Sequence, residues 1–266
     1  MNVPYFHSSW DSSNNPTKSS YFVCCLPRSG SNLLCYSLIE HGNAGIPLEY
    51  FNPTSKGTNA FLNRIFDGSS PLPQGDSAFD TAALNEFVLN LQRWRTDKNG
   101  IWGSKIFNYR FFKFFEQQEE SLDAFSNQKL KFIYLSRKDK IAQSVSNYIS
   151  KQSFSWSSMH ENTIEMPEYS FKPIYLAYDA FCESEAQMKQ YMSSKSSDSV
   201  LFVSYKDLVT NYRKTITEVY DFLEISPKNL KPPPLQRQSH RKKTEYCRLF
   251  AQDLQNFEEY KMTRQQ

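Results

Sequence analysis

The chain has 266 residues, 39% of them hydrophobic, and a formal net charge of +3. This length suits one α/β domain or two small ones, and the apolar content supports a full core. The charge is too small for nucleic-acid binding by bulk electrostatics. The five cysteines are odd in number and lack metal-ligand spacing, and His7, His41, His160 and His240 are dispersed, so no metal centre is expected. Cys24, Cys25 and Cys35 read as small core residues of a reduced, cytoplasmic protein.

Residues 1–20 are polar, rich in Ser and Asn, and contain no apolar stretch. They read as a loosely ordered extension rather than a secretory signal, leaving 21–266 as a single domain. No apolar run reaches transmembrane length. Tyr21–Leu26 is a short apolar run expected as a buried strand. Pro27-Arg28-Ser29-Gly30-Ser31-Asn32 follows, then an amphipathic run from Leu33. A strand, a tight polar turn and a helix start gather backbone N–H groups and the positive helix end at one point, which suits a phosphate. Arg28 adds a charged fork, and Ser29 and Ser31 add hydroxyl donors. The G-x-x-x-x-G-K-[ST] pattern is missing, so the loop is expected to hold a phosphate without hydrolysing a nucleoside triphosphate. In the plainer reading Gly30 serves the turn and Ser31 caps the helix.

His41 falls near the end of that first helix. Glu49 follows in Gly45-Ile46-Pro47-Leu48-Glu49-Tyr50-Phe51, where partial burial beside Tyr50 and Phe51 would raise its pKa toward a general-base range. Asn52–Gly75 reads as a long surface excursion. A helix is expected over Phe79–Arg95, a strand over Ile101–Phe107 with Lys105 near its end, and a helix over Tyr109–Glu120. The strand Lys131–Ser136 runs into Arg137, and the helix Asp139–Ser150 carries Ser146. A second excursion, Ser150–Ser170, surrounds Trp156. Then come a helix over Phe171–Met192, a strand over Val200–Ser204 and a helix over Asp207–Leu223. The Pro-rich connector Lys231–Pro234 and the basic stretch Arg237–Lys243 lead into a helix over Lys243–Tyr260. Alternating strands and helices imply a mainly parallel sheet with helices on both faces, with ligands beyond the C-terminal strand ends.

Residues 27–32 resemble the 5′-phosphosulfate loop of sulfotransferases, P-[KR]-[ST]-G-[ST]-[TN]. Gly45–Phe51 resembles the G-x-P-x-E-[FY]-F segment of the bacterial trehalose 2-sulfotransferase family. Ser136–Ser146 is similar to S-R-x-D-K-x-x-Q-[SA]-V-S, and Pro234-Leu235-Gln236-Arg237-Gln238 to P-L-x-R-Q. The resemblance covers roughly residues 20–255. It implies a P-loop-NTPase-like α/β fold and 3′-phosphoadenosine 5′-phosphosulfate (PAPS) as donor, with 3′,5′-ADP as product. Pro27, Arg28, Ser29, Gly30, Ser31 and Asn32 would hold the 5′ end, Arg137 and Ser146 the 3′-phosphate, and Lys105 the charge on the bridging oxygen. Many eukaryotic sulfotransferases carry a catalytic His two positions after that Lys. Here the position is Phe107, so Glu49 becomes the expected base and His41 its rival.

The resemblance further implies a sugar, glycolipid or other small glycoconjugate as acceptor, and a homodimer. Ile46, Glu49, Trp156 and Arg237 or Gln238 are the acceptor candidates, although Arg237 and Gln238 also suit a solvated connector and Trp156 a core edge. Trehalose-sulfating members carry an acidic residue where Ile46 stands, so trehalose is expected to be a poor acceptor. A small-molecule kinase is the rival enzyme reading, disfavoured by the missing Walker Lys. A non-catalytic nucleotide-binding protein would bind without base-dependent turnover.

Overall fold

The run Ser20–Cys25 is buried at every position, because both faces of its strand are covered. In the computed structural model, which describes residues 4–12, 14–68, 80–116, 124–153, 166–235 and 241–264, this run lies in β1 (Ser19–Cys25). β1 pairs in parallel with β2 (Ile101–Phe107) on one side and β3 (Lys129–Ser136) on the other. β4 (Val200–Ser204) lies in parallel beyond β3, giving the order β2-β1-β3-β4. In register, Cys25 faces Phe107 and Leu135, and Ser136 faces Ser204. All four strands therefore end at one edge. The chain leaves β1 toward one neighbour and later returns to the other, which opens a crevice beyond that edge.

Adjacent strand residues point to opposite faces. Phe22 meets the rings of Trp102, Phe111, Phe115, Phe125 and Phe132 at 5.2–6.3 Å between centroids. Tyr21 points the other way, where its hydroxyl donates to the Ala44 carbonyl at 2.7 Å. On that face lie α1 (Ser31–His41) and α8 (Tyr212–Phe222), joined where the Tyr220 hydroxyl donates to the Gly42 carbonyl at 2.8 Å. On the Phe22 face lies α4 (Asn108–Phe111), continued as a π-helical turn to Glu116. The remaining helices are α2 (Lys56–Ile65), α3 (Thr81–Arg95), α5 (Lys140–Ser153), α6 (Phe171–Ser193), α7 (Tyr205–Thr210) and α9 (Arg241–Arg264). α5, α6 and α9 enclose a second apolar cluster of Val145, Tyr148, Ile149, Ile174, Tyr246, Phe250 and Leu254. The expected parallel sheet flanked by helices is borne out, as is the burial of Cys24, Cys25 and Cys35. Among the described residues no helix is long and apolar enough to cross a membrane.

Three expectations are corrected. The excursion after Asn52 contains α2, whose Ser55 cap accepts from the Thr58 N–H and whose Phe61 and Leu62 are fully buried. The helix expected over Asp207–Leu223 is divided at Asn211, and its first part starts at Tyr205 because the Ser204 hydroxyl caps the Asp207 N–H. The third correction concerns residues 4–12, which are strapped to the domain rather than loose. Tyr5 and Phe6 are buried. The buried Arg95 guanidinium donates to the Tyr5 carbonyl at 3.0 Å and pairs with Asp11 at 3.0 Å, 4.2 Å above the Phe61 ring. Arg64 grips the same Asp11 and donates to the Phe6 carbonyl at 3.1 Å. A buried guanidinium needs an anion and carbonyl partners, and this segment provides them.

Candidate active site

The turn after β1 is shaped by two left-handed residues, Arg28 (φ 62°) and Gly30 (φ 89°). A Cβ on Gly30 would lie 2.7 Å from the Tyr205 ring, so glycine is needed both for the dihedral and for the approach. Arg28 adopts a conformation that costs a non-glycine residue roughly 1–2 kcal/mol. The Gly30 carbonyl accepts the Leu34 N–H at 3.1 Å as α1 begins, and the first N–H groups of that helix have no partner within it.

Arg137, just past β3, and two residues of α5 lock this turn in place. Gln143 Nε2 donates to the Pro27 carbonyl at 2.8 Å, Arg137 to the Arg28 carbonyl at 3.1 Å, and Arg28 Nε to Ser146 Oγ at 3.0 Å. Arg137 also lies 4.8 Å over the Tyr205 ring. Burial, together with the Arg137 charge, pushes the Arg28 guanidinium down to about 10. Two cations and a hydroxyl held together at the sheet edge favour an anion.

The opposite side is built by the segment after α1. At Gly45 (φ 65°) a Cβ would lie 2.8 Å from the Ile101 carbonyl oxygen, so the chain crosses β2 only without a side chain. Leu48 then forms an isolated parallel bridge with Ser104, and its carbonyl accepts the Lys105 N–H at 2.9 Å. That bridge sets Glu49 against Lys105 in an ion pair, with Lys105 5% and Glu49 22% exposed. Lys105 Nζ also donates to Asn32 Oδ1 at 2.5 Å. Asn52 Nδ2 donates to Glu49 Oε2 at 2.7 Å, while Asn52 Oδ1 accepts the Thr54 N–H at 3.3 Å and hydroxyl at 2.8 Å.

Burial by itself would raise the Glu49 carboxyl. The Lys105 charge and hydrogen bond, the Asn52 amide and the Arg110 charge outweigh it and hold the carboxyl below its ordinary range. The upward shift expected from partial burial is thus corrected, because burial arrives together with a cation. Burial would lower Lys105, but Glu49 holds its ammonium above the ordinary value.

Both halves open into one cleft of about 1440 Å³, lined by Arg28, Glu49, Lys105, Arg137 and Ser146 together with the start of α1. On the Glu49 side its walls are Phe6, Tyr36, Pro47, Phe107 and Tyr109, the last two stacked at 6.0 Å. A family model described as Stf0 sulphotransferase matches residues 20–253. The chain belongs to that family.

Solved structures similar to this Stf0 sulphotransferase include three sulfotransferases. The sulfotransferase domain from the curacin biosynthetic pathway is 17% identical over 85% of this chain and 80% of that one, with a TM-score of 0.48. The sulfotransferase from Alicyclobacillus acidocaldarius is 14% identical over 89% and 93%, with a TM-score of 0.49. Sulfotransferase STF9 from Mycobacterium avium is 13% identical over 88% and 68%, with a TM-score of 0.47. No curated protein matches the chain in sequence.

In this Stf0 sulphotransferase, Pro27, Arg28, Gly30, Ser31, Asn32, Glu49, Lys105, Arg137 and Ser146 converge on the cleft as the sequence suggests, while Ser29 is buried beneath the turn. Ile46 does not line the cleft. It packs in the core, and its carbonyl accepts the Tyr50 hydroxyl at 2.6 Å. Its expected contact with the acceptor falls away, and with it the reason to expect trehalose to be a poor acceptor. His41 is fully buried off the cleft, its Nε2 lying 3.1 Å from the Lys231 carbonyl and 3.3 Å from the Tyr212 hydroxyl, and burial pushes its pKa down. That position leaves it no role as a base at the cleft. Trp156, Arg237 and Gln238 lie outside the described residues. Among the described residues no group of three or more His, Cys, Asp or Glu could hold a metal ion. Sequence reasoning missed Phe6, Asn52 and Tyr205. Asn52 follows Glu49 closely and Tyr205 directly follows β4, whereas Phe6 carries no local signal.

Proposed function

We propose that this sulfotransferase uses PAPS as donor and a hydroxyl of a sugar or small glycoconjugate as acceptor, with Glu49 as general base. The observation that carries this reading is the sharing of one cleft by the Glu49–Lys105 pair and the Arg28, Arg137 and Ser146 cluster. The residues fit a nucleotide with anions at two points. The start of α1, Arg28 and Lys105 suit the 5′ end, and Arg137 with Ser146 suits a 3′-phosphate. When bound, PAPS supplies the sulfuryl group, its S–O bond to the 5′-phosphate breaking as the acceptor oxygen bonds to sulfur, and 3′,5′-ADP leaves.

Glu49 takes the hydroxyl proton of the acceptor. Lys105, Arg28 and the first N–H groups of α1 carry the charge on the departing phosphate. The aromatic walls at Phe107 and Tyr109 suit the apolar face of a sugar ring. Calorimetric titration with 3′,5′-ADP and with ADP tests the donor. We expect much tighter binding of 3′,5′-ADP, weakened in Arg137→Ala by about 2–3 kcal/mol, the range for a hydrogen bond to a charged group. Equal affinity for both nucleotides would remove the 3′-phosphate assignment. A PAPS assay against trehalose and a panel of glycosides tests the acceptor class.

A further inference from the structure

Lys105 faces two anions in the mechanism above, and the pull of one weakens its hold on the other. It holds the general base, and it neutralises the leaving phosphate. We infer that donor binding arms the base: Lys105 transfers its contact from Glu49 to the 5′-phosphate, while Asn52 keeps Glu49 aimed at the acceptor. This inference rests on the reading of Glu49 as base.

Lys105 Nζ already stands between the two partners. One of its bonds goes to Glu49 and another to Asn32, in the first turn of α1 beside the phosphate turn. The ammonium is therefore one hydrogen bond from the donor site before any ligand arrives. Asn52 is a positioning residue. Thr54 donates twice to its carbonyl oxygen, which leaves the amide nitrogen no orientation but toward Glu49. That tether does not involve Lys105 and survives its departure.

The groups facing Glu49 come from several elements: Lys105 from β2, Cys25 from β1, Cys35 and Tyr36 from α1, and Tyr109 and Arg110 from the start of α4. The thiols and phenols are held neutral, each raised chiefly by burial. Lys105 and Arg110 are the cations of this set, and Lys105 has the greater effect on Glu49. With its charge drawn to a phosphate, the burial that favours the protonated carboxyl is opposed less, and Glu49 gains affinity for a proton. Without donor, Glu49 is a weak base.

Linkage makes this measurable without any acceptor. A group whose pKa rises on binding takes up protons at pH values between its free and bound pKa. We would titrate wild type and Glu49→Gln with 3′,5′-ADP in mildly acidic buffers of different ionisation enthalpy. The expected result is greater proton uptake by wild type than by Glu49→Gln, the variant correcting for the ligand's own phosphates. Infrared difference spectra of the wild type alone provide a second readout. A protonated carboxyl band that grows when 3′,5′-ADP is added supports the transfer.

Equal proton uptake in the two proteins, with no new carboxyl band, would overturn the arming of the base. Turnover separates that outcome from failure of the base assignment. An inactive Glu49→Gln with unchanged proton uptake removes only the transfer by Lys105, whereas a fully active Glu49→Gln removes Glu49 as the base and the inference with it.

Discussion

Glu49 and Lys105 are in contact because Leu48 bridges to Ser104. Glu49→Gln should bind 3′,5′-ADP no more weakly than wild type and lose roughly 10²–10⁴ in turnover, the usual range for loss of a general base. Calorimetry and a PAPS assay check the two halves of that statement. The same pair affects stability. The folded pKa of Glu49 lies below its unfolded value, so its contribution is full above the ordinary carboxylate range and is lost as pH falls through that range toward the folded pKa. Urea midpoints should therefore favour wild type over Glu49→Gln near neutral pH, and the gap should close in acid. A gap that widens in acid would reverse the sign assigned to the shift. The convergence of Arg28, Arg137 and Ser146 was legible in sequence because each lies in a local motif. The direction of the Glu49 shift was not, because its cause is a residue on another strand, brought near by a backbone bridge that leaves no local pattern.

Among the elements, the N-terminal strap was the largest miss. Its polar composition resembles a tail, and the reason for its order is Arg95 on α3, whose guanidinium is buried and needs Asp11. Asp11→Ala should destabilise the fold by about 3–5 kcal/mol, the range for removing one partner of a buried ion pair. Denaturant unfolding measures it, and a loss below about 1 kcal/mol, typical of exposed pairs, would show that Arg95 is satisfied without Asp11. The second element under strain is the turn before α1. Gly30→Ala adds a Cβ against Tyr205 at a left-handed dihedral. It should weaken 3′,5′-ADP binding by on the order of tenfold, from roughly 1–2 kcal/mol of backbone strain. α2 escaped notice because Phe61, Leu62 and Ile65 are few apolar residues among Pro, Gly, Ser and Asn.

For the whole molecule, the alternation of strands and helices made the parallel sheet legible, and the motifs marked which strand ends carry the chemistry. The strand order was not legible, since nothing local to β1 says that β2 and β3 flank it on opposite sides. That order gathers Arg28, Lys105 and Arg137 from three strand ends around one cleft, so in the proposed function the chain's own cations meet the charge of the donor. EDTA should accordingly leave turnover unchanged in a PAPS assay, and an absolute Mg²⁺ requirement would show that these side chains do not suffice.

The strap has a consequence for how selectivity can diverge. Phe6 forms part of the cleft wall on the Glu49 side, yet it precedes the stretch that matches the family model. Under the proposed function, the residues assigned to the donor and this piece of the wall therefore lie in separable parts of the chain. Exchange or lengthening of the segment before β1 would then reshape the cleft at Phe6 while Arg28, Lys105, Arg137 and Ser146 stay in place. The strap is in that sense an adaptor, and chimaeras that swap it between relatives would alter acceptor choice without altering the affinity for 3′,5′-ADP.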